Sequence, residues 1–165
     1  MQQKYFKIIA RGIVMKEDIL RKIGTIARAF DSIANIEFKE IQLTRGQYLY
    51  LVRIDENPGI ISDHLAEILS IDRTTTARSV QKLTERGLII KKSAPNNKKV
   101  KKLFLTEKGK ELAKIIEREN ICSNEISLAG LNNDEREELS YLLGKMVENA
   151  NENWRFVKDG GRREY

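Results

Sequence analysis

The chain has 165 residues, 41% hydrophobic and 33% charged, with a formal net charge of +6. That length allows one domain with a core plus an oligomerisation arm, and the mix excludes a disordered chain. No apolar run approaches the about 18 residues that span a bilayer, no signal-peptide core opens the sequence, and a lone cysteine, Cys122, excludes an internal disulfide framework. A cytoplasmic protein without membrane association is expected.

The charge is unevenly placed. Between residues 70 and 110, twelve basic residues stand against three acidic ones, Asp72, Glu85 and Glu107, a local excess of nine that leaves the remainder near −3. A basic middle between acidic flanks points to a polyanion as partner. A membrane surface would instead call for a Lys/Arg-rich amphipathic helix carrying exposed Trp or Phe, and none is seen.

Taken in order, residues 1–14 show no clean period, and 1–15 read as an extension ahead of a second plausible start at Met15. Over residues 16–35, Ile19, Leu20, Ile23, Ile26, Ala27, Phe30, Ile33 and Ala34 recur at helical steps, an amphipathic stripe that must be buried against another helix of this chain or of a partner. Thr44 and Gln47 form a capping box opening a second helix, which Asn57-Pro58-Gly59 ends. Ser62 is placed to cap a short third helix with Leu65, Ala66, Ile68 and Leu69 inward.

The turn Ser70-Ile71-Asp72 leads to a fourth helix, capped by Asp72 and ended at Gly87. Ala77, Val80 and Leu83 form its apolar face, and Arg73, Thr74, Thr75, Arg78, Ser79 and Lys82 the opposite one. Consecutive threonines are poor helix formers, because β-branching costs χ1 freedom, so helix stability does not account for them. Short hydroxyls mixed with arginine suit a face laid against phosphates and base edges. A solvated basic face would look the same in isolation. Its neighbours decide: two short helices joined by a three-residue turn, the second basic outside, form a helix-turn-helix pattern.

Residues 88–93 and 101–105 read as strands, joined by the positively charged, turn-rich stretch 94–99. A basic hairpin placed directly after a helix-turn-helix reads as a wing whose tip, with Lys98 and Lys99, can reach a neighbouring minor groove, with Lys101 on the strand behind it; a solvated hairpin using lysines to discourage edge pairing fits this location less well. Thr106 is placed to cap a long helix with Leu112, Ala113, Ile115, Ile116, Ile121, Cys122 and Ile126 on its apolar side, ended by Gly130. Cys122 in that setting reads as a packed core thiol rather than a redox sensor. Asn132 and Glu135 form a capping box for a last helix with Leu139, Leu142, Leu143, Met146 and Val147 at helical steps, continued by Trp154 and Phe156. Residues 158–165 are a polar tail.

No glycine-rich phosphate loop, nucleophile elbow or histidine-centred set occurs, and one cysteine with one histidine, His64, cannot supply clustered soft-metal ligands. Neither catalysis nor a metal or cofactor is expected.

The order of elements, with Leu43-Thr44-Arg45-Gly46-Gln47, Asp72-Arg73-Thr74-Thr75, Leu83-Thr84-Glu85-Arg86-Gly87-Leu88-Ile89 and Leu103-Phe104-Leu105-Thr106-Glu107-Lys108-Gly109, resembles the MarR/SlyA family of winged helix-turn-helix regulators over residues 17–157. The resemblance implies a mainly α (α+β) fold. Residues 16–40 would form an N-terminal dimerisation helix, 41–109 a winged DNA-binding domain and 110–157 C-terminal dimerisation helices. It also implies a homodimeric repressor that binds a pseudo-palindromic double-stranded operator and is relieved by a small aromatic effector. Ser62, Arg73, Thr74, Thr75, Arg78, Ser79, Lys82, Lys98, Lys99 and Lys101 would meet DNA, Arg78 as the candidate for guanine and Ser62 and Lys82 for phosphate. Ile19, Ile23, Ile26, Phe30, Leu139, Leu142, Leu143, Met146 and Trp154 would meet the partner protomer, and Phe30, Phe38, Tyr48 and Tyr50 would line an effector cleft. One departure stands out. Where the family's wing carries Asp-x-Arg, this chain has Asn97-Lys98-Lys99, and Lys99 cannot form arginine's planar fork. A winged protein–protein adaptor is the rival from another class, and the concentrated charge from Arg73 to Lys102 argues against it.

Overall fold

The computed structural model describes residues 18–43, 46–94 and 97–164. Along them run α1 (Ile19–Glu37), α2 (Gln47–Glu56), α3 (Ser62–Ile68), α4 (Arg73–Glu85), β1 (Ile89–Ala94), β2 (Asn97–Leu105), α5 (Glu107–Ser127) and α6 (Asn133–Lys158). The architecture is therefore mainly helical with a small antiparallel hairpin, as expected. Of the described residues, those up to Glu37 form one unit and those from Phe38 onward a second. The stretch 1–15, Thr44 of the first capping box and the centre of the hairpin tip (Pro95 and Asn96) lie outside the described residues.

In the first unit, the Asp18 carboxylate accepts the Arg21 N–H at 3.0 Å and closes the start of α1. Leu20, Ile26 and Ile36 stand exposed along the helix.

The second unit is built on one apolar core. Leu51 and Ile54 of α2, Leu65 and Ala66 of α3, Val80 and Leu83 of α4, Leu88 and Ile89, Leu103 and Leu105 of β2, and Ala113 and Ile116 of α5 are all buried. Fully burying each of the larger side chains stabilises by roughly 1.5–3 kcal/mol, so this shared core, rather than any polar contact, holds helix-turn-helix, hairpin and α5 together. β1 and β2 pair antiparallel, Ile89 opposite Leu105 and Ser93 opposite Lys101, with the register shifting after Ser93. The segment before α3 pairs onto β2 at single points: the Gly59 N–H donates to the Leu103 carbonyl at 2.8 Å, the Leu103 N–H to the Ile60 carbonyl at 2.9 Å, and Ile61 makes an isolated bridge to Lys102. At the far end, Arg136 donates to the carbonyls of Leu128 and Leu131 and to Glu125 Oε2, fixing the turn between α5 and α6.

Local capping follows the sequence in three places. Asp72 accepts the Thr75 N–H at 2.8 Å, Thr106 Oγ1 accepts the Gly109 N–H at 3.0 Å, and Asn132 with Glu135 makes a full capping box. It fails in two. Gln47 is the first helical residue of α2, after a left-handed Gly46 that gives no side-chain cap, and its carboxamide oxygen accepts from the Arg86 guanidinium. Ser62 is likewise inside α3, and the cap position is Ile61, whose extended backbone is used by the bridge to Lys102. Two apolar assignments also change. Ala77 is exposed and Thr76 takes the inward position beside Val80 and Leu83, while Ile68 is exposed and Leu69 only half-buried.

Thr76 is fully buried, and its hydroxyl has no hydrogen-bond partner among the described residues. An unpaired buried hydroxyl costs about 1–3 kcal/mol. Thr76→Val, nearly the same shape, is expected to stabilise the protein by about 1 kcal/mol, read as a higher denaturant midpoint at fixed protein concentration with an unchanged slope.

Candidate nucleic-acid interface

α4 presents two faces for a simple reason: the side that carries Thr76, Val80 and Leu83 is sealed in the core, so the other is left to solvent. Arg73, Thr74, Thr75, Arg78 and Lys82 are exposed and Ser79 is half-buried. Arg73 lies 3.6 Å from Asp63 of α3, both well exposed, a surface pair that contributes little and that a phosphate can displace. Ser62 is half-buried at the start of α3.

The helix is closed at both ends. Hydrogen bonds from Thr75, first its hydroxyl and then its backbone N–H, hold the Asp72 carboxyl below its ordinary range. At the other end, Leu88 N–H donates to the Leu83 carbonyl and Gly87 N–H to the Thr84 carbonyl, with Gly87 at φ 70°, a Schellman turn that needs glycine at that position.

The hairpin beside it carries Lys98, Lys99 and Lys101, all exposed. Lys101 Nζ donates to Ser93 Oγ at 2.8 Å across the strands, and Lys92 lies over the Phe104 ring at 5.1 Å. Lys91 Nζ donates to Gln81 Oε1 at 3.0 Å, strapping β1 to α4. Asn97 has a role that sequence reasoning missed: its Oδ1 accepts the Lys99 N–H at 3.0 Å, an Asx turn that presets the backbone at Lys99. The signal was present, since asparagine two residues before the tip lysine is where such a turn forms.

The other assigned residues separate into two groups. Of those assigned to a partner protomer, Ile19, Ile26, Leu139, Leu142 and Leu143 are exposed, and Ile23, Phe30, Met146 and Trp154 half-buried; α6 buries none of its residues. Phe38, Tyr48 and Tyr50 are buried, the first two with ring centroids 5.3 Å apart, and Phe30 belongs to the other unit. Open space lies instead in a groove of about 390 Å³ between α2 and α5, among Val52, Asp55, Glu117 and Ile121. Cys122 is exposed, which corrects the expectation of a packed thiol: α5 has left the core by that point. No helix of the described residues is long and apolar enough to cross a membrane.

A basic helix beside a two-stranded lysine-bearing wing defines a winged helix-turn-helix protein. The sequence model of the MarR family matches residues 43–101. The helix-turn-helix transcriptional regulator YybA of Bacillus subtilis is 54% identical over 148 residues, covering 90% of this chain and 99% of YybA. The chain belongs to the MarR family. Two solved structures, each 54% identical, superpose on it: the transcriptional regulator SlyA, covering 86% of this chain and 99% of that one with a TM-score of 0.82, and a MarR-family regulator from Listeria monocytogenes complexed with a 26-mer DNA, covering 90% and 99% with a TM-score of 0.87.

Because the folded Asp72 carboxyl titrates below its unfolded value, its contribution to stability is complete above the ordinary carboxylate range and fades as pH falls through the folded value. Asp72→Ala is expected to lower the melting temperature at neutral pH, with the deficit narrowing below about pH 4. Asp72→Asn, which keeps the cap without the charge, is expected to remain close to wild type at neutral pH. Thermal melts across pH check both.

Proposed function

We propose that this chain is a homodimeric transcription regulator that binds double-stranded DNA with sequence preference. The observation that carries it is the solvent-facing side of α4, with Arg73, Thr74, Thr75, Arg78 and Lys82 exposed beside a lysine wing fixed on the same core. α4 enters the major groove: Arg78 forks onto a guanine, the threonine hydroxyls meet base edges or phosphates, and Lys82 and Ser62 hold the backbone. The wing lysines add phosphate attraction beside it. The Listeria relative complexed with DNA supports the same use of the fold.

The exposed apolar faces of α1 and α6 supply the partner contact, and two α4 helices related by a twofold axis would lie about 34 Å apart on successive major grooves. Repression by occupying an operator needs nothing beyond that arrangement. Relief by a small effector is part of the same proposal, with the groove between α2 and α5 as a candidate seat. No catalytic step is involved.

Gel shifts on the upstream region of its own gene, together with selection from random duplexes, test the proposal. Binding should show a selected pseudo-palindrome and a log–log salt slope of about −0.9 per neutralised phosphate; the absence of any sequence preference would refute it. Arg78→Ala is expected to relax base choice at one position of each half-site and to cost about 1–3 kcal/mol on the operator. Lys99→Ala should weaken operator and random DNA alike and flatten the salt slope by about one. Equal effects of both substitutions on both DNAs would undo the division of roles. Leu142→Glu, placing a charge on the exposed stripe of α6, is expected to give a monomer by analytical ultracentrifugation and to abolish operator binding.

A further inference from the structure

Both ends of α4 are fastened to segments outside the helix-turn-helix, by side chains that lie off its polar face. Ahead of the helix, Ser70 sits at φ 52°, a left-handed backbone that a residue with a side chain adopts only when its surroundings hold it there. From that position its hydroxyl donates to Asn151 Oδ1 of α6 at 2.9 Å. Behind the helix, the half-buried Arg86 guanidinium donates to the Ile41 carbonyl and to Gln47 Oε1, both at 3.2 Å. Ile41 lies in the turn that follows α1, closed by the Leu43 N–H on the Phe38 carbonyl and anchored by the buried side chains of Phe38 and Leu43. Neither fastening is needed to end the helix. Asp72 already caps its start and the Schellman turn at Gly87 already satisfies its last carbonyls. What the two contacts add is a fixed attitude of α4 with respect to α6 and to the segment leaving α1.

Resting on the DNA-binding dimer proposed above, we infer that Ser70–Asn151 and Arg86–Ile41/Gln47 are positioning contacts that set which half-site spacing the dimer accepts. The two α4 helices are joined only through the arms, so the angle between helix and arm determines the distance and rotation between them. One base pair more or less between half-sites displaces a groove by about 3.4 Å along the duplex and about a tenth of a turn around it. With α4 sealed in its core, the whole winged domain must follow that displacement, and a domain fastened at both points cannot. A domain freed at one of them can, while keeping every residue that touches DNA. Asn151 belongs to neither the basic face nor the wing, and loosening its contact changes no charge.

The experiment uses the full-length protein and the operator selected by wild type, with versions that have one base pair inserted or removed between half-sites. Affinities are measured for wild type, Asn151→Ala, Arg86→Lys and Arg86→Ala, with melts to confirm folding. Lysine keeps the charge of Arg86 but cannot reach two acceptors with a fixed fork. Wild type should favour its own spacing strongly. In Asn151→Ala and Arg86→Lys that preference should shrink by about three- to tenfold, the size of one lost hydrogen bond, with the salt slope unchanged. An unchanged preference in folded variants, or a loss of affinity equal at all spacings, overturns the inference while leaving the DNA-binding proposal intact. If wild type itself selects no operator, that proposal fails first, and the inference with it.

Discussion

The two-sided environment of α4 is the constraint on which the rest depends. Its polar face is available because Thr76, Val80 and Leu83 are sealed against a core shared with Leu88 and Ile89 after the helix, Leu103 and Leu105 of β2, and Ala113 and Ile116 of α5. Helix and wing are thus two exposed surfaces of one packed object. Thr106 joins them again at the edge: its hydroxyl donates to the Gly87 carbonyl at 2.7 Å while its oxygen accepts the Gly109 N–H. Gly109 lies so close under the Leu88 carbonyl that a Cβ there would collide with it, which sets the first turn of α5 directly on the base of the wing. Apolar burial of about 1.5–3 kcal/mol per large side chain outweighs net hydrogen bonds of about 0.5–1.5 kcal/mol each. The core therefore decides that the domain folds, and the polar contacts select its geometry.

Features encoded locally were legible in the sequence. The caps at Asp72, Thr106 and Asn132 each involve a side chain and a backbone group three residues away, and all three stand where the residue types placed them. The inner face of α4 was ambiguous for a geometric reason. Positions 77, 80 and 83 and positions 76, 80 and 83 both satisfy helical spacing, and hydropathy alone favours alanine over threonine. Packing turned the helix the other way and buried a hydroxyl. The Gly59–Ile61 segment is too short for any period, and its bridge to β2 goes with a cap at Ile61 in place of the one expected at Ser62. Arg86–Ile41 and Ser70–Asn151 join residues 45 and 81 positions apart, and no local pattern announces such a pair.

Cys122 illustrates a different limit. Ile121, Cys122 and Ile126 continue the apolar side of α5 past Ile116, the last buried residue of that helix, and all three are exposed in the protomer. An apolar stripe says that a surface is to be covered, but whether by this chain or by another copy is a property of the assembly. The same holds for α6, a 26-residue helix that buries nothing and leaves Leu139, Leu142, Leu143 and Val147 in solvent. Helices owe most of their stability in proteins to packing of their apolar face, and contiguous exposed patches mark interaction sites. A second protomer answers both requirements at once.

The chemistry of the wing divides the work of recognition. Lys101 is tied to Ser93 and Lys92 covers Phe104, whereas the ammonium groups of Lys98 and Lys99 take no hydrogen bond among the described residues. Lysine is a strongly hydrated point charge that meets phosphate without reading geometry, so in the proposed role a wing ending in Lys98-Lys99 would draw DNA in without choosing its sequence. The Asx turn at Asn97 fixes where that charge is presented, not what it recognises. In that role choice would fall on α4, where a bidentate contact discriminates by about 1–3 kcal/mol only while its donors stay aligned with the base edge. A regulator with so undiscriminating a wing would have the more need of a helix-turn-helix domain held in a fixed attitude. The proposal gives that sense to the Ser70–Asn151 and Arg86–Ile41/Gln47 contacts, which the caps of α4 do not require.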